Sequence, residues 1–271
     1  MPELPEVETT RRGLAPLLVG RAFRGVEIRD GRLREPVPES LPALLAGRRL
    51  RALERRAKYL LFRYAHGTLL LHLGMSGSLR IAPRGEPLRR HDHLRFTLAG
   101  GRELRFHDPR RFGLCAWLAG DPLLDARLAR LGPEPLGDAF DAAALRAALR
   151  GRKAAVKLLL MDPAVVVGVG NIYASEALFR AGIRPARAGG SLRSAEIERL
   201  VAAVRSVLRE ALRAGGTTLR DYVDGGGEPG AFQVRLRVYG RGGEPCTVCA
   251  TPIRSRVLGQ RSTFWCPACQ A

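Results

Sequence analysis

Cys246-x-x-Cys249 and Cys266-x-x-Cys269 stand sixteen residues apart, and no other feature of the sequence limits the local fold so tightly. Each pair puts two sulfurs on one tight turn, and two such turns complete a tetrahedron with the spacing of a two-knuckle zinc site. Four thiolates leave no position open for water, so the expected ion is one structural Zn²⁺. The alternative, a pair of disulfides, belongs to an oxidising compartment. Between the pairs lie Arg254, Arg256 and Arg261. A hairpin clamped by zinc can present them to a phosphate backbone or a groove. From charge alone the segment reads equally well as a solvated basic hairpin.

The charge of the whole chain narrows the partner. Its 271 residues carry 45 basic and 26 acidic side chains, a formal net charge of +19. Such an excess points to a polyanion, either nucleic acid or an anionic membrane surface. No apolar run approaches the roughly 18 residues of a membrane span, and the acidic, proline-bearing start is unlike a secretory signal. A soluble intracellular protein with no membrane partner is therefore expected. The 46% hydrophobic content supports a real core, with room for two domains. The fifth cysteine, Cys115, lies beside Leu114, Ala116 and Trp117 and reads as a small core residue.

The coarse order of elements follows from periodicity. Pro5 to about Leu18 reads as a helix, with proline in its first turn and Glu6 and Glu8 at the positive end of the dipole. Gly20 to about Arg111 reads mostly as strands, with short apolar runs at 59–64, 68–73 and 78–81 and a hairpin over 93–98 and 103–106. A β-sandwich or barrel with a flanking helix is expected. The composition changes near Asp121-Pro122, and the pattern from Leu123 to about Ala214 is helical. Ser194 can cap a helix with an apolar face of Ile197, Leu200, Val201, Val204, Leu208 and Leu212, ended by Gly215-Gly216. The glycine-rich stretch Gly225–Gly230 reads as a mobile loop.

Several short segments carry possible chemistry. With Met1 removed, Pro2 offers a secondary amine of pKa near ~8, neutral in useful part near pH 7. Beside it, Glu3 can shuttle protons while the amine attacks a sugar C1′. By residue type alone, the stretch reads first as a Pro/Glu-rich helix start. Lys58, at a strand start, reads as a surface phosphate contact or a solvated charge. Gly168-Val169-Gly170-Asn171 before a helical run can hold a phosphate on backbone N–H groups, or simply form an interhelix turn. His107-Asp108-Pro109-Arg110-Arg111-Phe112-Gly113 sets paired arginines beside an aromatic ring. That suits insertion into a base stack, although a core Phe with surface Arg is the commoner meaning. His72, His91 and His93 show no metal spacing; His91 and His93 would share a face on a strand.

Together these segments resemble bacterial formamidopyrimidine-DNA glycosylases along the full length. The resemblance is carried by Pro2-Glu3-Leu4-Pro5-Glu6-Val7-Glu8, Arg55-Arg56-Ala57-Lys58-Tyr59-Leu60 and His72-Leu73-Gly74-Met75-Ser76-Gly77. It continues through Asp108-Pro109-Arg110-Arg111-Phe112-Gly113, the run Val167 to Glu176, and the terminal cysteines. It implies an α+β fold: an N-terminal β-sandwich with flanking helices over 1–122, a helix–two-turn–helix domain over 123–230, and a four-cysteine zinc-finger hairpin over 231–271. It implies a bifunctional repair enzyme, acting as a cytoplasmic monomer on double-stranded DNA that contains oxidised purines or abasic sites. Pro2 would be the Schiff-base nucleophile, Glu3 the proton donor, and Lys58 an aid to β-elimination. Arg261 would assist δ-elimination and hold a phosphate. His91, Arg110, Arg152 and Asn171 would contact DNA, and Met75, Arg110 and Phe112 would fill the gap left by a flipped nucleotide. Where the family often has Lys, this chain has Arg152, which keeps phosphate binding but offers no titratable amine. The competing readings are a sister endonuclease VIII-like enzyme for oxidised pyrimidines, a non-catalytic zinc-finger DNA-binding protein and a structural RNA-binding protein. The Leu4–Glu8 continuation favours the purine enzyme.

Overall fold

A computed structural model describes residues 2–216 and 236–271. The Gly225–Gly230 stretch lies outside the described residues. The chain divides into two compact units, one of residues 2–129 with 215–216, the other of 130–214 with 236–271.

The first unit opens with α1 (Leu4–Leu18). Strands β1 (Gly25–Ile28), β2 (Ala52–Arg56), β3 (Tyr59–Tyr64), β4 (Gly67–His72), β5 (Ser78–Pro83), β6 (Asp92–Thr97), β7 (Arg102–His107) and β8 (Leu114–Leu118) follow, with α2 (Leu41–Leu45) between β1 and β2. They form two antiparallel four-stranded sheets, ordered β1-β6-β7-β5 and β2-β3-β4-β8. The unit is therefore a sandwich and not a closed barrel. Registers Leu60↔Leu71 and Phe62↔Leu69 in one sheet, and Phe96↔Leu104 and Leu94↔Phe106 in the other, put bulky apolar pairs on inner faces. These residues share one core with Val7, Leu14 and Leu18 of α1 and with the fully buried Cys115. The strand-rich region runs past the expected end at Arg111: Arg111 takes a left-handed turn (φ 58°), and β8 then pairs with β4. Short α3 (Ala126–Ala129) closes the unit.

The second unit holds α4 (Ala142–Leu149), α5 (Val156–Leu160), α6 (Asn171–Ala181), α7 (Ser194–Arg213) and the antiparallel hairpin β9 (Arg254–Leu258)/β10 (Arg261–Trp265). It is less continuously helical than the periodicity suggests, because prolines at 133, 135, 163 and 185 interrupt the pattern. The face of α7 that packs against α6 and α4 buries Ile197, Leu200, Val201, Val204 and Leu208, with Leu212 half-buried. Its cap is Arg193 and not Ser194. The Arg193 N–H donates to Glu196 Oε2 at 2.7 Å, so the glutamate in the first turn satisfies the helix start and Ser194 is already helical. Among the described residues, no helix is long and apolar enough to cross a membrane.

Candidate active site and metal centre

In the first unit, Pro2 and Glu3 are buried immediately before α1. The Glu3 N–H donates to Oε2 of the fully buried Glu6 at 2.8 Å, which fixes the backbone at the helix entry. One turn on, Glu8 accepts from Arg11 Nη2 at 2.7 Å, Arg12 Nε at 2.9 Å and Arg55 Nε at 3.2 Å. Burial alone would raise the Glu8 carboxyl, but these hydrogen bonds and the charges of Arg11 and Arg55 hold it down at about 2. Arg55 also donates from Nη1 to the Ala57 carbonyl at 2.9 Å. Ala57 is left-handed (φ 54°), so the β2–β3 turn carrying Lys58 is tied through Arg55 and Glu8 to α1.

A second set of bonds runs from His72 to the arginine–phenylalanine loop. Burial first, and then the charges of Arg34 and Lys58, lower His72 to about 3, so its ring is neutral. Its Nδ1 accepts from the Gly74 N–H at 2.8 Å and sets the turn that presents Met75. Gly74 is left-handed (φ 64°), and a Cβ there would collide with the Phe112 backbone, so the two loops approach closely only with glycine. Asp108 fastens them. It is fully buried; Oδ1 accepts from Ser76 Oγ at 2.8 Å and Oδ2 from the Gly113 N–H at 2.7 Å. Its own N–H donates to the His91 carbonyl at 3.0 Å, and its carbonyl lies 2.9 Å from His93 Nε2. Above this platform Phe112 is 42% exposed, with the Arg110 guanidinium 5.0 Å from its ring centroid. The core reading of Phe112 is thereby excluded. His91 itself lies just before β6, and a bulge follows at Asp92, so it shares no regular strand with His93; their rings still lie 5.9 Å apart.

In the second unit, the start of α6 meets the hairpin. Asn171 Nδ2 donates to the Ser262 carbonyl at 3.0 Å. The fully buried Lys157 donates to the same carbonyl at 2.9 Å and to Thr263 Oγ1 at 2.7 Å. Arg261, exposed at the start of β10, is the neighbour of this anchored residue. Arg152 stands exposed in the α4–α5 connection, and no described hydrogen bond or ion pair ties it to Asn171 or Arg261. Glu176 on α6 accepts from three successive backbone N–H groups, Arg237 at 3.0 Å, Val238 at 3.0 Å and Tyr239 at 2.9 Å.

The four finger cysteines converge, their sulfurs all within 4.8 Å of one another. Cys249 Sγ lies 3.5 Å from Cys266 Sγ and 3.4 Å from Cys269 Sγ, and Cys246 Sγ lies 3.9 Å from Cys269 Sγ. A tetrahedron with Zn–S of about 2.3 Å has edges of about 3.8 Å, so the quartet fits one structural Zn²⁺. Backbone N–H groups of Val248 and Cys269 point at Cys246 and Cys266 sulfurs, both at 3.4 Å, which suits thiolates. Cys246 and Cys266 also pack with Phe179, Val238 and Ile253 in a small core. The ion would supply cross-linking and no reaction chemistry.

Spacing alone does not single out Ser76, Asp108, Lys157 or Glu176, and it gives Glu6 only its place at the helix dipole. The available signal was weak: a lone acid or lysine inside an otherwise apolar run, such as Glu176 within 172–179.

Three family models match the chain: the formamidopyrimidine-DNA glycosylase N-terminal domain over 1–115, the formamidopyrimidine-DNA glycosylase H2TH domain over 131–223, and a zinc finger found in FPG and IleRS over 243–271. Formamidopyrimidine-DNA glycosylases of Alkalilimnicola ehrlichii and Halorhodospira halophila are 56% and 58% identical, with both chains covered completely in each case. The crystal structure of the MutM (Fpg) protein from Thermus thermophilus is similar at 45% identity and a TM-score of 0.88, covering 99% of this chain and 98% of that one. The Lactococcus lactis Fpg in complex with DNA containing an abasic site is similar at 34% identity and a TM-score of 0.92, covering 99% of both.

Proposed function

The chain belongs to the formamidopyrimidine-DNA glycosylase family, and from that premise we propose that it excises 8-oxoguanine and formamidopyrimidines from double-stranded DNA and then nicks the strand by β,δ-elimination. The Pro2 nitrogen, freed by removal of Met1, attacks C1′ of the damaged nucleotide. The C1′–N bond breaks and its electron pair leaves with the base. The Pro2 nitrogen loses its proton, which balances the one the departing base takes up; Glu3 protonates the sugar oxygen as the C1′–O4′ bond breaks, and an iminium ion joins Pro2 to C1′. The iminium makes the C2′ proton acidic. Its loss, assisted by Lys58, forms C2′=C3′ and expels the 3′ phosphate. A second proton loss, from C4′, expels the 5′ phosphate, with Arg261 holding that phosphate. Water then hydrolyses the iminium and releases Pro2.

Reaching C1′ requires extrusion of the nucleotide, at a cost of a few kcal/mol. Met75, Arg110 and Phe112 fill the resulting gap, while His91, Arg152 and Asn171 grip the backbone. The observation that most supports this reading is Phe112: a large ring, 42% exposed, carries an arginine and rests on a buried, hydrogen-bonded platform. A wedge of this kind enters a base stack, and with the buried Pro2–Glu3 pair at the start of α1 it supports extrusion of a nucleotide for chemistry. The Lactococcus relative, seen with abasic-site DNA, supports DNA as the substrate.

The test is borohydride trapping on a duplex with 8-oxoguanine opposite cytosine, using protein whose free Pro2 is verified. The expected result is a covalent adduct that peptide mass mapping assigns to Pro2, absent in Pro2→Gly. No adduct here but one on a thymine-glycol duplex would shift the substrate to oxidised pyrimidines. No adduct on either duplex would leave a protein that binds DNA without cutting it.

A further inference from the structure

The proposed function uses Arg261 of the hairpin but not Arg254 or Arg256. These two line a cavity of about 350 Å³ together with Arg184, Pro185, Thr263 and Trp265. Register explains how they converge. Arg254 pairs with Trp265, Arg256 with Thr263 and Leu258 with Arg261, so alternation puts all six on one face of the hairpin. Arg184 reaches the cavity from the turn after α6, where its backbone N–H donates to a main-chain oxygen of Ala271 at 3.0 Å. The wall is firm: Pro185 accepts from the Lys157 N–H at 3.2 Å, and Thr263 is fully buried beneath the Lys157 side chain at 2.7 Å.

The chemistry of the lining is one-sided. Among the described residues, none of the three guanidinium groups has a carboxylate partner, although most other acids of this unit are taken up in ion pairs or backbone bonds. The Arg256 guanidinium lies 5.6 Å from the Trp265 ring centroid, which holds it in place without neutralising it. The buried Trp265 Nε1 has no described acceptor. Three arginines with no described ion pair around a concave, partly apolar wall favour an oxyanion, and guanidinium forks suit phosphate in particular. Arg256 and Arg254 lie about 7 and 14 Å along the hairpin from the Arg261 row, at about 3.4 Å per residue. Duplex DNA rises by only about 3.4 Å per nucleotide on each strand, so the two ends of the row are too far apart to share one phosphate.

We propose that Arg184, Arg254 and Arg256 form a second phosphate site, which takes a backbone phosphate of the duplex distinct from the one assigned to Arg261. The site rests on the reading that this chain binds DNA. It lengthens the footprint on the finger side and adds to non-specific, salt-dependent holding.

The test uses full-length, zinc-loaded protein and a duplex with a tetrahydrofuran abasic analogue, with Kd measured over about 50–200 mM KCl. Wild type is compared with Arg254→Gln/Arg256→Gln, with Arg184→Gln and with Arg254→Lys/Arg256→Lys; zinc content and circular dichroism verify folding. The slope of log K against log salt should flatten by about 0.9 for each phosphate that the glutamine variants no longer neutralise, and should persist in the lysine variant. An unchanged slope in a folded glutamine variant, with wild type binding normally, overturns the second site and leaves the DNA reading standing. Failure of wild type to bind the duplex overturns the DNA reading itself. A parallel pyrophosphate titration separates a free anion from DNA: saturable binding that disappears in the glutamine variants, with the DNA slope unchanged, would assign the cavity to a small polyanion and overturn the proposal.

Discussion

Removing the Asp108 side chain should loosen the platform beneath Phe112, the proposed wedge, far more than neutralising it. Asp108 is fully buried and holds two groups, the Ser76 hydroxyl at 2.8 Å and the Gly113 N–H at 2.7 Å. Hydrogen bonds to a charged group contribute about 1.5–3 kcal/mol each. Asp108→Ala therefore forfeits about 3–6 kcal/mol and leaves the Gly113 N–H buried without an acceptor. Asp108→Asn keeps an oxygen for Gly113, and its amide can donate to Ser76 Oγ, whose second lone pair still accepts from the Arg110 N–H at 3.2 Å. Only charge assistance is lost, about 1–2 kcal/mol. Hydrogen exchange on peptides covering 72–78 and 106–114 reads this opening locally, without assuming that both units unfold together. Exchange should accelerate about 10²–10⁴-fold in the alanine variant and about tenfold in the asparagine variant, at 1.4 kcal/mol per decade. A 2-aminopurine opposite an abasic analogue should brighten less with alanine than with wild type at saturating protein, because a loosened wedge fills the gap poorly. Equal exchange in the two variants would refute the claim that these bonds hold the loops together. Faster exchange with unchanged 2-aminopurine signal would confine Asp108 to stability.

Other expectations follow from the same structure. Glu176→Gln places an amide donor against backbone donors at 237–239, and should weaken the packing of that segment by about 2–3 kcal/mol, read by exchange of its amides against wild type. Chelation of zinc should weaken DNA binding at least about tenfold while the sandwich melts unchanged, because folding energy at the finger is metal-binding energy; full affinity in verified metal-free protein would contradict this. His72 sits near 3, well below its usual 6.5, so its stabilising contribution is complete above about 6.5 and is lost as pH falls towards 3. His72→Gln should remove up to about 1.4 kcal/mol per pH unit from the slope of stability between about pH 6 and 4.5; parallel slopes would show that the ring is not held neutral.

Legibility from sequence followed the range of the interaction. The strands at 59–64 and 93–98 and the apolar face of α7 could be read because each depends on a period of a few residues. The four thiols could be read because that residue type at that spacing serves one chemistry. Phe112 could not, since an aromatic beside arginines looks the same in a core or on a surface until its loop is built. Nor could the bond of Asp108 to Ser76 or those of Glu176 to the 237–239 backbone, which join residues 32 and 61–63 positions apart along the chain. The misplaced cap at Ser194 has a related origin: Glu196 serves the Arg193 N–H, and a rule centred on hydroxyl caps overlooks an acid in the first turn. The four acids Glu6, Asp108, Glu176 and Glu196 are all buried and all accept backbone N–H groups. Acids so enclosed pin the backbone at the helix entry, the loop beneath Phe112 and the approach to the finger, and they offer little negative charge to an approaching ligand. In a chain with 45 basic and 26 acidic residues, this internal use of carboxylates leaves the surface more positive than the net charge of +19 alone conveys. Attraction to a polyanion and rigidity of the loops that would meet it thus arise from the same placement of acidic side chains.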